Sequence, residues 1–146
     1  MKDIALLEKI IGVKFNKPEL LRQALVHRSY LNEHPDFELE HNERLEFLGD
    51  AVLELAVTEF LYNKYDNPEG ELTNWRASLV NAKMLADVSK DLEFEEFLYL
   101  SQGESKDKGK ARQYILANTF ESVTGAIYLS NGLKAATNFI HRFLLI

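Results

Sequence analysis

The sequence predicts an all-α fold in a single domain. Apolar residues recur three and four positions apart along most of the chain, which is the spacing of one helix face. No segment shows a convincing alternation of apolar and polar residues, the pattern of a half-buried strand. A length of 146 residues suits one domain with one hydrophobic core.

The first helices follow from spacing and from start signals. The first is predicted from apolar residues at helical spacing, namely Ile4, Leu7, Ile10 and Ile11. A second helix is expected to begin after Asn16, with Asn16 as its N-cap and Pro18 and Glu19 in its first turn. Its pattern is broken at 34–36, and a polar loop continues to His41.

A long helix is predicted from Asn42, as its cap, to about Tyr65. Its first half, NERLEFLGDAV, places Glu43, Glu46 and Asp50 on consecutive turns, so that three carboxylates project in one row. Another face of this helix carries apolar residues that can be buried, namely Leu45, Leu48, Val52 and Leu55.

The rest of the chain continues the helical reading. Residues 66–70 form a turn cluster. The next amphipathic helix is predicted from Leu79, Met84, Leu85 and Val88. A short apolar piece spans 94–100, and 101–113 is expected to be a flexible, basic loop, either solvated or in contact with phosphates. The last two helices are predicted at about 112–130 and from 133 to the end.

A second polar pair lies far along the chain. Asn118 and Glu121, in ILANTFE, are three residues apart and are surrounded by small and polar residues that permit close helix approach. Gly49, which costs a helix about 1 kcal/mol relative to alanine, indicates close packing on the first acidic helix. Oxygen ligands from two helices are suited to Mg²⁺. The residues alone leave open the alternative that the Glu-x-x-Glu pair is a solvated helix face.

Several motifs make the chain similar to a known family. NERLEFLGD and ILANTFE are joined by LVHRSY at 25–30, PEGELTNWRASLVN at 68–81 and the Gly103–Glu104 pair. Over nearly its whole length the chain resembles the ribonuclease III family, in its bacterial-type endonuclease domain.

The resemblance implies an activity and a partner. It implies that residues 1–146 are a homodimeric endonuclease domain that hydrolyses double-stranded RNA with Mg²⁺, for which Mn²⁺ can substitute. The products have 5′-phosphate and 3′-hydroxyl ends with short 3′ overhangs, in the processing of ribosomal and messenger RNA. The C-terminal double-stranded-RNA-binding domain that is usual in bacterial members is expected to be absent.

The resemblance also assigns residue roles. It implies four metal ligands, namely Glu46, Asp50, Asn118 and Glu121. Among these, Asp50 and Glu121 are also catalytic, and Glu43 supports them in the same acidic cluster. Glu69 is brought to the RNA-processing centre. Phe47 is implied to insert into a pocket on a second subunit, whereas its residue type alone suits a core aromatic equally well.

Asn118 departs from the family pattern, which usually has aspartate at this position. Asparagine keeps a carbonyl oxygen as ligand but removes one negative charge. A tolerated natural variant, an engineered substitution and a loss of activity are the competing explanations, and the intact acidic positions favour the first. One rival hypothesis is a non-catalytic RNA-binding or scaffold member of the same fold. Another is an unrelated di-metal carboxylate protein, opposed by the single Glu-x-x-His pair, Glu38 and His41.

Composition limits the remaining possibilities. The chain has no cysteine, which excludes disulfides and suits a cytoplasmic location. No apolar run reaches the ~18 residues needed to span a membrane. The formal charge is −6, which argues against phosphate binding unless cations or a basic module offset it.

Overall fold

The structure is a computed structural model that describes residues 2–145. Within this range the chain forms nine α-helices and one 3-10 helix, and its β-structure is an isolated parallel bridge between Val26 and Tyr99. The predicted all-α fold class is therefore confirmed. In chain order the helices are α1 Ile4–Ile11, α2 Pro18–Ala24, α3 Arg28–Glu33, α4 Glu43–Lys64, α5 Glu69–Leu79, α6 Ala82–Asp91, the 3-10 helix Phe94–Phe97, α7 Gln102–Lys106, α8 Lys110–Asn131 and α9 Leu133–Phe143.

Helix α8 is the centre of the fold. It packs most extensively against α4 and α6, and also against α2 and α9. Of its 22 residues, 13 are buried, so the helix is enclosed on most of its surface. Its buried hydroxyl groups are satisfied locally or by neighbours: the Thr124 hydroxyl donates to the Phe120 carbonyl at 2.8 Å, and the Ser122 hydroxyl donates to the Ala24 carbonyl at 2.7 Å. Sequence polarity along α8 therefore does not mark a solvent-facing helix.

The predicted cap of the second helix is wrong. Helix α2 follows Lys17, with Pro18 in its first turn, and no side chain caps it. The Asn16 side chain instead donates to the Ser130 carbonyl at 3.3 Å. The Asn16 amide, which was expected to cap α2, therefore binds the C-terminal end of α8 instead.

Asn42 stands at the predicted cap position of the acidic helix, but its side chain does not make the predicted capping hydrogen bond. Asn42 does precede α4, but its buried side chain donates to the Ala24 carbonyl at 2.9 Å and makes no cap. The Glu43 N–H donates to His41 Nδ1 at 3.3 Å instead. Asn42 therefore ties the start of α4 to α2, while His41 takes over the first orphan N–H group.

Three predicted segments are divided differently in the structure. The pattern ending near residue 33 forms two helices, α2 and α3, because Val26 leaves the helical path to pair with Tyr99. The turn cluster at 66–70 overlaps the start of α5, and α5 and α6 are separate helices. Asn81 caps α6 by accepting from the Met84 N–H at 3.0 Å.

The segment 101–113 is not one flexible loop. It contains α7 and the start of α8. The buried Arg112 side chain donates to Glu95 at 2.7 Å and to the Glu104 carbonyl at 2.9 Å, which anchors the segment to the 3-10 helix. One arginine therefore gives order to a stretch without large apolar residues.

The apolar face of α4 agrees with expectation except at its end. Leu45 and Val52 are buried and Leu48 is half-buried, whereas Leu55 is 53% exposed. Across residues 2–145, no helix combines the length and apolar character that crossing a bilayer requires.

Candidate active site

The candidate site lies where α4 and α8 cross at very short distance. A Cβ atom on Gly49 would overlap the Glu121 backbone carbonyl, and one on Gly125 would overlap the Leu45 carbonyl. Each helix therefore contributes a glycine at the point of contact, and any larger residue would push the backbones apart. The close packing predicted from Gly49 is confirmed. It sets the acidic row of α4 directly against Glu121 on α8.

Three carboxyl groups interact at this crossing. The pKa of Glu121 is raised to about 8, first by burial, then by a hydrogen bond with Asp50 and by repulsion from Asp50 and Glu46. Burial also raises the pKa of Glu46, with further repulsion from Glu43 and Asp50. Glu46 and Glu121 are half-buried. The cluster therefore retains a proton near neutral pH, which a fully solvated helix face would not do.

The donor set is made of oxygen atoms only. Carboxylates from two helices, with the nearby Asn118 amide, are hard ligands of the kind that Mg²⁺ prefers. Within residues 2–145, however, no three histidine, cysteine, aspartate or glutamate side chains converge closely enough to form a ready metal site. A cation would therefore have to displace the proton and draw these side chains together.

Asn118 lies on α8 one turn before Glu121. Both residues are half-buried, whereas the positions between them, Thr119 and Phe120, are fully enclosed. Residues three apart on a helix are neighbours on one face. Asn118 and Glu121 therefore share the only side of this turn that is open to solvent.

Glu43 occupies the rim of the cluster. It is exposed and lies 3.2 Å from the Arg28 guanidinium, in an ion pair between two largely exposed side chains. Its charge contributes to the raised pKa of Glu46. Its backbone N–H donates to His41, a contact that sequence reasoning missed. Histidine is an uncommon cap, so no simple signal would have predicted this contact.

Glu69 is not brought to the cluster within one chain. It begins α5 and lines a groove with residues from the C-terminal half of α4, among them Leu61 and Tyr62. At 1.5 Å per residue, Leu61 is about 16 Å along the helix axis from Asp50. The groove and the acidic cluster are therefore separate features of a protomer.

Phe47 is not a core residue. Its side chain is 83% exposed, although it sits on α4 between the half-buried Glu46 and Leu48. It also borders a surface groove that includes His41 and Leu129. The core-aromatic alternative is wrong, and a large exposed aromatic beside a groove is typical of an interaction surface.

The fold and the site define an all-α domain with a carboxylate cluster at a glycine-mediated helix crossing. The chain belongs to the ribonuclease-III-like family, whose family model matches residues 17–146. The family predicted from the sequence motifs is thereby confirmed.

Individual relatives agree with this assignment. The chain is 47% identical over 140 residues to ribonuclease 3 of Oceanobacillus iheyensis, covering 95% of this chain and 61% of that protein. It therefore spans about three fifths of the length of this curated relative. A 2.2 Å crystal structure of the nuclease domain of ribonuclease III from Campylobacter jejuni matches with a TM-score of 0.87 and 38% identity, over 99% of this chain and 95% of that one. A second structure of that nuclease domain, described as showing flexibility in the region involved in dimer formation, matches with a TM-score of 0.86 and 36% identity, over 99% and 100% of the two chains.

Proposed function

We propose that this chain is the catalytic part of an endoribonuclease that hydrolyses double-stranded RNA with Mg²⁺. Family membership and relatives named ribonuclease 3 support the reaction class. The observation that carries the proposal is the cluster of Glu46, Asp50 and Glu121, which holds excess carboxylate charge at a rigid helix crossing.

The residues present suit a divalent cation. The raised pKa of Glu121 means that a proton on this carboxyl group relieves the repulsion from Asp50 and Glu46. A cation would relieve the same repulsion, and oxygen donors are the ligands that it prefers. We assign the ligands to Glu46, Asp50, Asn118 and Glu121, with Mn²⁺ able to substitute. When bound, Mg²⁺ supplies charge neutralisation at the phosphate, a more acidic water and stabilisation of the leaving oxygen.

The protein's own residues orient and charge this site. Gly49 and Gly125 allow the two helices to approach at contact distance, so that candidate ligands from both lie beside the same crossing. Glu121 and Asp50, which share a hydrogen bond in the protonated cluster, would hold the cation from α8 and α4 and would carry full negative charge once Glu121 is deprotonated. Glu43 supports the cluster from the rim, where it pairs with Arg28.

Asn118 modifies the site without removing it. Its amide oxygen can still act as a ligand, but the site has one negative charge fewer than an aspartate would provide. Weaker cation binding and a less polarised water follow from this loss. We interpret Asn118 as a tolerated variant, because Glu43, Glu46, Asp50 and Glu121 are all in place.

The active form proposed here is a homodimer. The exposure of the Phe47 side chain supports a contact with a second copy of the chain. In this contact Phe47 would insert into a pocket on the partner subunit. Twofold symmetry gives two sites, one for each strand of a duplex. Glu69 lies away from the acidic cluster of its own protomer. Any role at the RNA-processing centre would therefore require that Glu69 of one protomer reach the cluster of the other. The dimer has a formal charge of −12, twice −6, so its approach to RNA requires bound cations or a basic appended domain to offset the repulsion.

Substrate choice in this proposal depends on helix shape. The major groove of A-form RNA is deep and narrow, so proteins contact phosphates and 2′-hydroxyl groups instead of base edges. The products carry 5′-phosphate and 3′-hydroxyl ends with short 3′ overhangs. A cytoplasmic role in ribosomal and messenger RNA processing is part of the same proposal.

A second candidate function is a non-catalytic RNA-binding or scaffold protein of the same fold. Asn118 favours it, because a missing charge weakens the metal centre. The intact acidic residues on α4 and Glu121 on α8 oppose it, since a scaffold does not need a partly buried cluster of mutually repelling carboxylates.

Cleavage of a labelled RNA duplex with Mg²⁺ distinguishes the two functions. The unaltered chain is run beside Asn118→Asp and Glu121→Ala. We expect the unaltered chain to cut and Glu121→Ala to be inactive. Cutting by Asn118→Asp alone would indicate a disabled site, and inactivity of both would reject the nuclease proposal.

A further inference from the structure

One face of α8 leads from the protein surface into the acidic cluster. Positions 110, 114, 118 and 121 lie within about 80° of one another around the helix axis. Lys110 is exposed and Tyr114 is 49% exposed, while Asn118 and Glu121 are half-buried. The residues between Tyr114 and Asn118 are all buried, so beyond Tyr114 the open surface of this part of α8 continues through Asn118 to Glu121.

Lys110 and Tyr114 lie close together, outside the acidic cluster. The Lys110 ammonium lies 5.9 Å from the centre of the Tyr114 ring, one helical turn away. No carboxylate lies within ion-pair distance of Lys110 in the described part of the chain. Arg112, by contrast, is buried and is engaged by Glu95. The charge of Lys110 is therefore available to a ligand, whereas that of Arg112 is used by the fold.

The two sides of the site differ in charge. Helix α4 contributes three carboxylates, from Glu43, Glu46 and Asp50. On the α8 side, three residues without negative charge precede Glu121, namely Lys110, Tyr114 and Asn118. A polyanion that approaches the cluster is repelled by the α4 side and accommodated by the α8 side. Asn118 strengthens this asymmetry, because an aspartate there would extend the negative charge onto α8.

We propose that Tyr114 and Lys110 position the RNA backbone beside the bond that is cut. Lys110 contacts a phosphate, and the Tyr114 hydroxyl donates a hydrogen bond to the sugar–phosphate backbone. Stacking on a base is excluded for a duplex, whose bases have no free face in the A-form helix. This inference rests on the proposed nuclease function and adds two substrate-contacting residues to it.

The test compares KM and kcat for cleavage of a labelled RNA duplex by the unaltered chain, Tyr114→Phe and Lys110→Gln. Tyr114→Phe keeps the ring, so that only the hydroxyl is tested. We expect it to raise KM about fivefold, the effect of one lost hydrogen bond, with kcat nearly unchanged. Lys110→Gln should raise KM and reduce the slope of log affinity against log salt by about 1, as for one lost phosphate contact. Tyr128→Phe, farther along α8, and Lys134→Gln, on α9, are the matched controls.

A set of duplexes distinguishes the two possible acceptors of the Tyr114 hydroxyl. Single 2′-deoxy substitutions near the cut should raise KM for the unaltered chain but not for Tyr114→Phe if the acceptor is a 2′-hydroxyl. If the acceptor is a phosphate oxygen, the substitutions leave the difference between the two proteins intact. Either pattern supports the backbone contact.

Failure of this inference is separable from failure of the proposed function. If the unaltered chain cuts RNA and both variants keep its KM and salt slope, the positioning role is wrong and the nuclease stands. If only the Asn118→Asp protein cuts RNA, Tyr114→Phe and Lys110→Gln are each combined with Asn118→Asp and compared with the Asn118→Asp protein. If neither background cuts or binds RNA, both proposals are rejected.

Discussion

Gly49 of α4 lies directly against the backbone carbonyl of Glu121 on α8. The absence of a side chain at one residue therefore determines where the carboxylate of the other is held. Because the helices touch at this point, Asp50, next to Gly49, helps to raise the pKa of Glu121 through hydrogen bonding and charge repulsion. Stability and chemistry are therefore coupled through this contact.

Gly49→Ala should destabilise the fold, although alanine is the better helix former. The added methyl group overlaps the Glu121 carbonyl, and such overpacking costs roughly 1–3 kcal/mol. Chemical denaturation followed by circular dichroism measures the change. Gly70→Ala is the matched control, since a Cβ there meets nothing within 4 Å. It should leave the stability unchanged or raise it by up to about 1 kcal/mol. Equal effects of the two substitutions would contradict the close crossing.

The free energy of unfolding should depend on pH through Glu121 when divalent cations are removed. Its folded pKa of about 8 lies above the ordinary value of 4.5, so the folded state binds the proton more tightly than the unfolded state. The stabilisation from this proton is complete below pH 4.5 and is lost as the pH rises through 8.

Glu121→Gln isolates that contribution. The neutral amide cannot ionise, so this variant should gain stability relative to the unaltered chain as the pH rises from 5 to about 8, where the folded carboxyl titrates. Urea unfolding in EDTA across this range measures the difference, with Glu59→Gln, an exposed change on α4, as the control. A stability difference that stays constant with pH would reject the raised pKa.

Asn118→Asp should bind Mg²⁺ more tightly than the unaltered chain. One added ligand charge is expected to lower the dissociation constant by about tenfold. Isothermal titration calorimetry with Mg²⁺ gives both values. Asn138→Asp, which makes the same change at an exposed position on α9, controls for net charge. Equal affinities for Asn118→Asp and the unaltered chain would remove Asn118 from the ligand set.

Phe47→Ala should weaken self-association. A large exposed aromatic that fills a pocket on a partner typically contributes 2 kcal/mol or more, which corresponds to roughly a 30-fold rise in the dissociation constant. Sedimentation velocity over a range of concentrations measures it. Leu6→Ala removes another exposed apolar side chain, on α1, and should have no effect. A variant that remains dimeric at the lowest concentrations would count against this role of Phe47.

The environments of Phe47 and Asn42 could not be predicted from the sequence. Phe47 suited the core and an interface equally well by residue type, and only its 83% exposure removed the core alternative. Asn42 has the best side chain for capping α4, yet it is drawn to the Ala24 carbonyl of α2. In both cases the outcome depends on which distant groups come near, and local preference carries no information about that.

By itself, the sequence determined the helical class, the family and the acidic row of α4, because helical periodicity and short motifs are local properties of the chain. It also indicated a close contact at Gly49, since glycine inside a helix needs a compensating reason. Only the tertiary structure decided that Glu121 is the partner in that contact, that Glu69 lies apart from the cluster, and that Arg112 is used by the fold while Lys110 is not. These outcomes depend on the crossing of α4 and α8 and on the burial of charge that the crossing imposes, which no single segment encodes.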